Sequence, residues 1–400
     1  MPYLGKSPPT ISSSLEDADS DTKIQVEESA DEDVIRFDIA GAEDFTMAAN
    51  NFSVLSGSTL TIDSGATIAN SGTATGFPAA PGKNLLINGN FDIWQRGGGT
   101  FSTGNEYTAD QWKWLGTAGS GNVSRQAFTV GQTDVPGNPT YFWRGTVGTG
   151  DTSVTVKNCI EGVANGSGVS VTVSLWAKAS EASTWETGDS GCNLQQRFGS
   201  GGSGVVRGNL DEDFASQAIT TSWQKFVCTV TPPSISGKTV GAGNYLELYL
   251  QTAADLSSSA TLDIAQVQVE IGTEAADFAH EDIGTTLQKC QRYYERLTPN
   301  TATNQAIFQA YNVTSTVASG IFNYTHKRAA PTLTFTAGAT FEVRHQTTTT
   351  VCTAAAVSGS SDEDRCLCNF TVASGLTGGQ GCVIRRNDTD TTYIEVSAEL

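Results

Sequence analysis

Along most of the 400-residue chain, apolar and polar side chains alternate with a period of two, the signature of strands with one buried face. Over residues 23–44, Ile24/Val26 and then Ile35/Phe37/Ile39 against Val34/Arg36/Asp38 flank an acidic turn, which predicts a hairpin with a thin core. Between Phe45 and Phe77 the segments SGSTLTID and SGATIAN repeat imperfectly, with an apolar residue at every second position and Gly at each turn. One copy of strands this thin cannot bury its apolar face. Residues 23–82 are therefore expected to form an acidic hairpin followed by an intertwined stem, a β-prism or triple β-helix made by three copies of the chain.

The apolar pattern thickens at Lys83–Gly97, KNLLINGNFDIWQRG, after a run of small and polar residues that could pack no core. A folded module is expected to begin there and to extend to residue 280. About eight strand-like runs with Gly-rich turns, among them VSVTVSLWAK, WQKFVCTVT, YLELYLQ and TLDIAQVQVEI, predict a jelly roll or β-sandwich. In the first run Val169, Val171, Val173 and Leu175 should point inward, leaving Ser170, Thr172, Ser174, Trp176 and Lys178 outward. By the same rule Leu246, Leu248 and Leu250 face inward and Tyr245, Glu247 and Tyr249 outward, while Gln195 and Arg197 lie opposite Leu194 and Phe198. The period then changes. Ile283, Leu287, Cys290, Tyr294 and Leu297 follow at spacings of four and three, predicting a short amphipathic helical neck over 281–298 with a coiled-coil-like trimer seam. Residues 299–400 return to β character and should form a second, smaller β-sandwich. The fold class is all-β.

Composition narrows the choice of partner. A formal charge of −19, with no cluster of Lys and Arg interleaved with aromatics, argues against nucleic acid. No stretch approaches the roughly eighteen apolar residues of a membrane span, and MPYLGKSPPT lacks the features of a secretory signal, so synthesis in a cytoplasm and no membrane insertion are expected. Residues 1–22, rich in Pro, Ser and Asp without periodicity, should order only against a partner.

Cytoplasmic folding favours free thiols for the eight cysteines over a disulfide, and a disulfide over zinc, since the Cys366/Cys368 pair matches no familiar zinc spacing. His280, His326 and His345 lie far apart, and no nucleophile elbow, metal-binding helix motif or phosphate-cradling Gly loop is present. The chain therefore reads as non-enzymatic; the remaining enzymatic alternative is a glycan depolymerase, which needs only two carboxylates across a sugar. The outward set Trp176, Gln195, Arg197, Tyr245, Glu247 and Tyr249 joins aromatic faces to amide and charged groups, the combination that sugar rings need. The same residues would equally suit an interface covered by a loop or a neighbouring protomer.

With these segments in place, the chain resembles fibre proteins of tailed phages. MPYLGKSPP is similar to their virion-proximal start, DTKIQVEESADEDVIRFDIAG and STLTIDSGATIANSGTATGF to their stem, and NLLINGNFDIWQRG, YTADQW, GQTDVPGNP, LDIAQVQVEIG and CQRYYER to a globular module of tail and head fibres. YIEVSAEL is similar to the ends of many virion proteins. The resemblance implies a homotrimer located in the virion, attached to other virion proteins through residues 1–22 and contacting host surface glycan. A purely structural head or neck decoration or connector is the alternative. NLLINGNFD and LDIAQVQVE also resemble the first and last strands of carbohydrate-binding jelly rolls, in which a structural calcium links the two ends. That likeness implies Asp92 and Asp263 as calcium ligands; otherwise both cap turns or strand ends. No other cofactor is implied.

Overall fold

Five short strands, β1 (Ser14–Glu16), β2 (Lys23–Val26), β3 (Ile35–Ile39), β4 (Ala42–Ala48) and β5 (Asn51–Val54), pair antiparallel in chain order as a single-layered meander. The register sets Leu15, Ile24, Phe37, Phe45 and Val54 side by side across one face, with Val26, Ile35, Met47 and Phe52 in the next row. Gln25, Arg36, Thr46 and Ser53 form a row on the opposite face, which also carries the ion pairs Lys23–Asp38 at 3.3 Å and Arg36–Glu43 at 2.9 Å. The apolar face stays open: Leu15, Ile39 and Phe52 are 76%, 53% and 51% exposed. This meander belongs to one of two compact units, residues 1–73; residues 74–400 form the other.

The structure is a computed structural model that describes residues 14–26, 33–61, 84–116, 121–189, 191–210, 214, 217–298, 304–359, 361–387 and 392–400. The expected hairpin over 23–44 is present as β2 and β3. Ordering begins earlier than residue 23, because β1 pairs with β2, so part of the expected attachment peptide is a strand of the sheet. Residues 1–13 and the SGATIAN repeat lie outside the described residues.

The larger unit opens with a β-sandwich. One sheet runs β15 (Gln224–Val230), β12 (Val171–Ala179), β17 (Thr261–Ile271), β10 (Tyr141–Thr146), β9 (Asn122–Ala127), β6 (Thr100–Phe101). The other runs β14 (Val206–Asn209), β13 (Asn193–Arg197), β16 (Tyr245–Gln251), β11 (Thr155–Glu161), β8 (Trp112–Trp114), β7 (Glu106–Tyr107). Val171, Val173, Leu175, Ile264, Val267 and Val269 from the first sheet meet Leu194, Leu246, Leu248, Leu250, Trp112 and Trp114 from the second in one core. Full burial of each such side chain contributes about 1.5–3 kcal/mol. Val169, expected inward, precedes β12 and is 45% exposed.

The NLLINGN stretch docks this module onto its own last strand. Asn84 Nδ2 donates to the Val267 carbonyl at 2.9 Å, and its Oδ1 accepts from Val269 N at 3.0 Å. A Cβ on Gly89 would lie 2.1 Å from the Val267 carbonyl oxygen, so only glycine allows the turn to approach. Asn88, at φ 59°, donates to the carbonyls of Ile93 and Asp110, and Trp112 Nε1 donates to the Asn88 carbonyl.

Helix α1 (Ile283–Gln291) is capped by Asp282, whose side chain accepts from Gly284 N and Thr285 N. It ends sooner than the four-three spacing predicts. Tyr294 and Leu297 lie on β18 (Tyr294–Leu297), which pairs with β26 (Ile394–Ser397) and, through it, β21 (Thr332–Phe335). The expected seam is therefore split between a helix and a strand. Ile283 is 64% exposed, Leu287 half-buried, and Cys290 and Tyr294 are buried within the chain. Spacings of four and three across 283–297 coincided with a run of β-prone Tyr residues that a sheet partner captured.

The tip is also different from expectation. Instead of a second sandwich, β19 (Ala306–Asn312), β20 (Val317–Asn323), β24 (Arg365–Val372), β23 (Thr348–Val357), β22 (Phe341–His345) and β25 (Gly381–Arg386) close into a six-stranded barrel. Alternation alone cannot tell a closed sheet from two facing ones; closure satisfies both edges, and Phe341, Phe370, Val343 and Ile384 fill the inside. All eight cysteines are buried and none is in a disulfide, with the Cys366 and Cys368 sulfurs 3.3 Å apart.

The segment of α1, β18 and β26 is joined to the sandwich by polar contacts. Arg96 lies 3.4 Å over the Tyr294 ring and pairs with Glu399 at 3.0 Å, the Tyr107 hydroxyl donates to the Leu400 carbonyl, and Arg292 and Tyr293 both bind Glu161.

Candidate functional site

Because Leu194, Leu246, Leu248 and Leu250 fill the core, the intervening residues of β13 and β16 must emerge on the outer face of the second sheet. Strand register lays them out in rows. Tyr107, Lys113, Lys157, Tyr249, Asn193 and Asn209 form one row across all six strands. Cys159, Glu247, Gln195 and Arg207 form the next, and Glu161, Tyr245 and Arg197 the third.

Glu247 is the centre of the face. It is fully buried, not outward and free as its alternation suggests, because Lys157 and Arg197 close over it from the neighbouring strands: Lys157 Nζ donates at 2.5 Å, and Arg197 NH2 at 2.8 Å. Burial works against the Lys157 ammonium, but the hydrogen bond and charge of Glu247 hold its pKa above the ordinary value. Tyr245 and Tyr249 stand on either side, half-buried, and burial raises both phenols. Tyr249 is fixed by donating to Gln251 Oε1 at 2.8 Å. Burial pushes the Cys159 thiol up to about 12, so it stays protonated and unreactive. Beside the carboxylate, the Oε1 of Gln195 is buried without a hydrogen-bond partner, as is the Oδ1 of Asn193. Unpaired buried acceptors cost free energy until a donor reaches them. The arrangement offers two aromatic rings and two cations on one face, suited to holding a hydroxyl-rich ring system.

The sequence set is thus divided. Gln195, Arg197, Tyr245, Glu247 and Tyr249 come together on the second sheet, whereas Trp176 lies on the first. Register pairs Trp176 with Lys225 and Ala265, on the floor of a cleft of about 450 Å³ that Gly137, Gln266, Phe278 and His280 also line. Lys113, Lys157, Arg207 and Asn193 were missed. Only the odd-numbered phase of TVKNCIE and WKW could have signalled the two lysines, and lysines in strands read as ordinary solvent groups.

Asp263 does not fit a cation. Both of its oxygens accept from Arg144, at 2.6 and 2.7 Å, and Lys178 lies 3.9 Å away. A guanidinium already occupies the carboxylate, and a metal there would face a fixed positive charge. Asp92 lies elsewhere, accepting from Asn90 at 2.9 Å in a small cavity with His280 and Lys289. Among the described residues, the acidic groups close enough to share an ion are Asp17, Asp19 and Asp21, all exposed.

Neither a protein-family model nor a curated relative matches the chain. Solved structures similar to it in part are the N-terminal cellulose-binding domain of Cellulomonas fimi β-1,4-glucanase C (17% identity, 49% of this chain and 100% of that one, TM-score 0.24) and a family 11 carbohydrate-binding module from Clostridium thermocellum in complex with a mixed-linked tetrasaccharide (11%, 44% and 98%, 0.24). The N-terminal CBM22 tandem of Paenibacillus barcinonensis Xyn10C is a third (12%, 76% and 97%, 0.26). At these scores the description of the sandwich rests on its own sheet order, and that of the site on the side chains of the second sheet.

Proposed function

We propose that this chain is a non-enzymatic structural protein of a phage virion, and that it binds host-surface glycan through the outer face of the second sheet. The observation that supports binding is the buried Glu247 clamped by Lys157 and Arg197 between two half-exposed tyrosines. A carboxylate held by two cations is a poor proton donor, which favours binding over hydrolysis on this face. Assembly as a homotrimer is favoured by the open apolar face of the N-terminal meander. Its exposed Leu, Ile, Val, Met and Phe side chains form an apolar surface of the kind that interfaces bury. Other copies of this chain are its natural cover, because the same rows of apolar residues would meet on each. Attachment to the virion falls to residues 1–22.

The test is retention of the full chain on host surface polysaccharide, compared with Tyr245→Ala and Tyr249→Ala. Loss of retention in both variants with unchanged melting supports the reading; full retention by the double variant overturns it.

A further inference from the structure

Lys113 of β8 and Lys157 of β11 are directly paired in register on the outer face of the second sheet. Like charges directly opposite one another destabilise a strand pair. Lys157 has Glu247 as its partner, but among the described residues no carboxylate lies within ion-pair distance of Lys113, whose ammonium instead sits 5.4 Å over the Tyr107 ring. Arg207, beside Gln195 in the adjoining row, is exposed and likewise has no ion pair among the described residues. The face therefore gathers Lys113, Lys157, Arg197 and Arg207 against two acids, Glu247 and Glu161, the second of which is already paired with Arg292, on a chain whose net charge is −19. Chance placement of 23 cations among 42 acids works against such a cluster.

From this juxtaposition of paired lysines, an exposed arginine and tyrosines, we infer that the glycan taken by this face is acidic, a polysaccharide carrying carboxylates on its sugars. This rests on the binding face proposed above and specifies its ligand. The geometry divides the work. The row Tyr107, Lys113, Lys157, Tyr249 spans four strands, or about 14 Å at the usual strand spacing of roughly 4.8 Å. That is room for two to three sugar units lying across the strands. Their apolar ring faces would rest on Tyr249 and Tyr245, and a carboxylate would settle between Lys113 and Lys157, relieving their mutual repulsion. Glu247 is already neutralised by Lys157 and Arg197 and so does not repel the incoming anion.

The experiment uses the full chain and a panel of acidic polysaccharides, polygalacturonate, alginate and polysialic acid, each beside its carboxyl-reduced form, in affinity electrophoresis. The expected result is retardation by at least one acidic polymer, abolished by carboxyl reduction and weakened by salt. Lys113→Met and Arg207→Gln, which break no ion pair seen in the structure, should each weaken that retardation about 5- to 10-fold, and the Tyr249→Ala variant should abolish it. Equal retardation by the reduced polymers, or unchanged binding by Lys113→Met, overturns the acidic-ligand inference and leaves the binding face standing. Absence of retardation by every acidic polymer also overturns it. Retardation that survives Tyr245→Ala/Tyr249→Ala together would instead displace the site itself.

Discussion

The N-terminal meander and the sandwich are written in the same alternating code and meet opposite fates. In the sandwich, each apolar row finds a second sheet: Leu246, Leu248 and Leu250 are buried to 1% exposure or less. In the meander, the equally regular row of Leu15, Ile24, Phe37, Phe45 and Val54 faces no second layer among the described residues of its own unit. Alternation therefore specifies which side of a strand is apolar, while burial depends on whether a second layer exists. Where the chain supplies that layer, the outer face is free to specialise in polar chemistry; where it does not, the apolar face itself is available for assembly.

This contrast can be broken by substitution. The largest effect is expected at Gly89, where even alanine would collide with the Val267 carbonyl: Gly89→Ala should cost the sandwich upward of about 3 kcal/mol in denaturant unfolding. At Gly41 in the meander, with φ +79° but open space around it, the same change should cost only about 1 kcal/mol. Next, Leu248→Ala should cost about 3 kcal/mol by opening a cavity. Ile24→Ala, by contrast, should cost under about 1 kcal/mol in a dissociated chain, while Ile24→Lys should shift light scattering from trimer to monomer. If Ile24→Lys leaves the assembly intact, the apolar face is not its seam.

Acidity gives a third, smaller handle, where the residues after β26 meet the sandwich. Burial, partly opposed by Arg96, pushes Glu399 up to about 6 and raises Asp110 as well. A carboxyl whose folded pKa lies above its unfolded one binds its proton more tightly in the folded state. Its stabilising contribution is fully present below about 4.5 and is lost as pH rises through about 6, a decline of about 1–2 kcal/mol. Melting curves across that window should show the decline, and Glu399→Gln should flatten it.

Much of this organisation was legible. The inward leucines of β16 and the hairpin over 23–44 followed from period and turn chemistry, and in NLLINGN Asn84 and Gly89 fit against Val267. What could not be read was depth and neighbourhood. Glu247 and Tyr249 share one phase, yet the first is fully buried because Lys157 and Arg197 arrive from strands far away in sequence. Trp176 has the same outward phase as Tyr249, but phase does not say which sheet a strand joins. Tyr294 kept a helical spacing and still became a strand because β26, about a hundred residues later, offered it an edge. Barrel closure was hidden for the same reason, since it depends on β19 meeting β25.

The most direct test of the account is hydroxyl-radical footprinting of the full chain saturated with host surface polysaccharide. The account predicts protection of Tyr245 and Tyr249 on the second sheet, with Trp176 on the first sheet labelled as in the free protein. Protection of Trp176 with Tyr245 and Tyr249 unchanged would place the ligand in the opposite cleft and contradict the central claim.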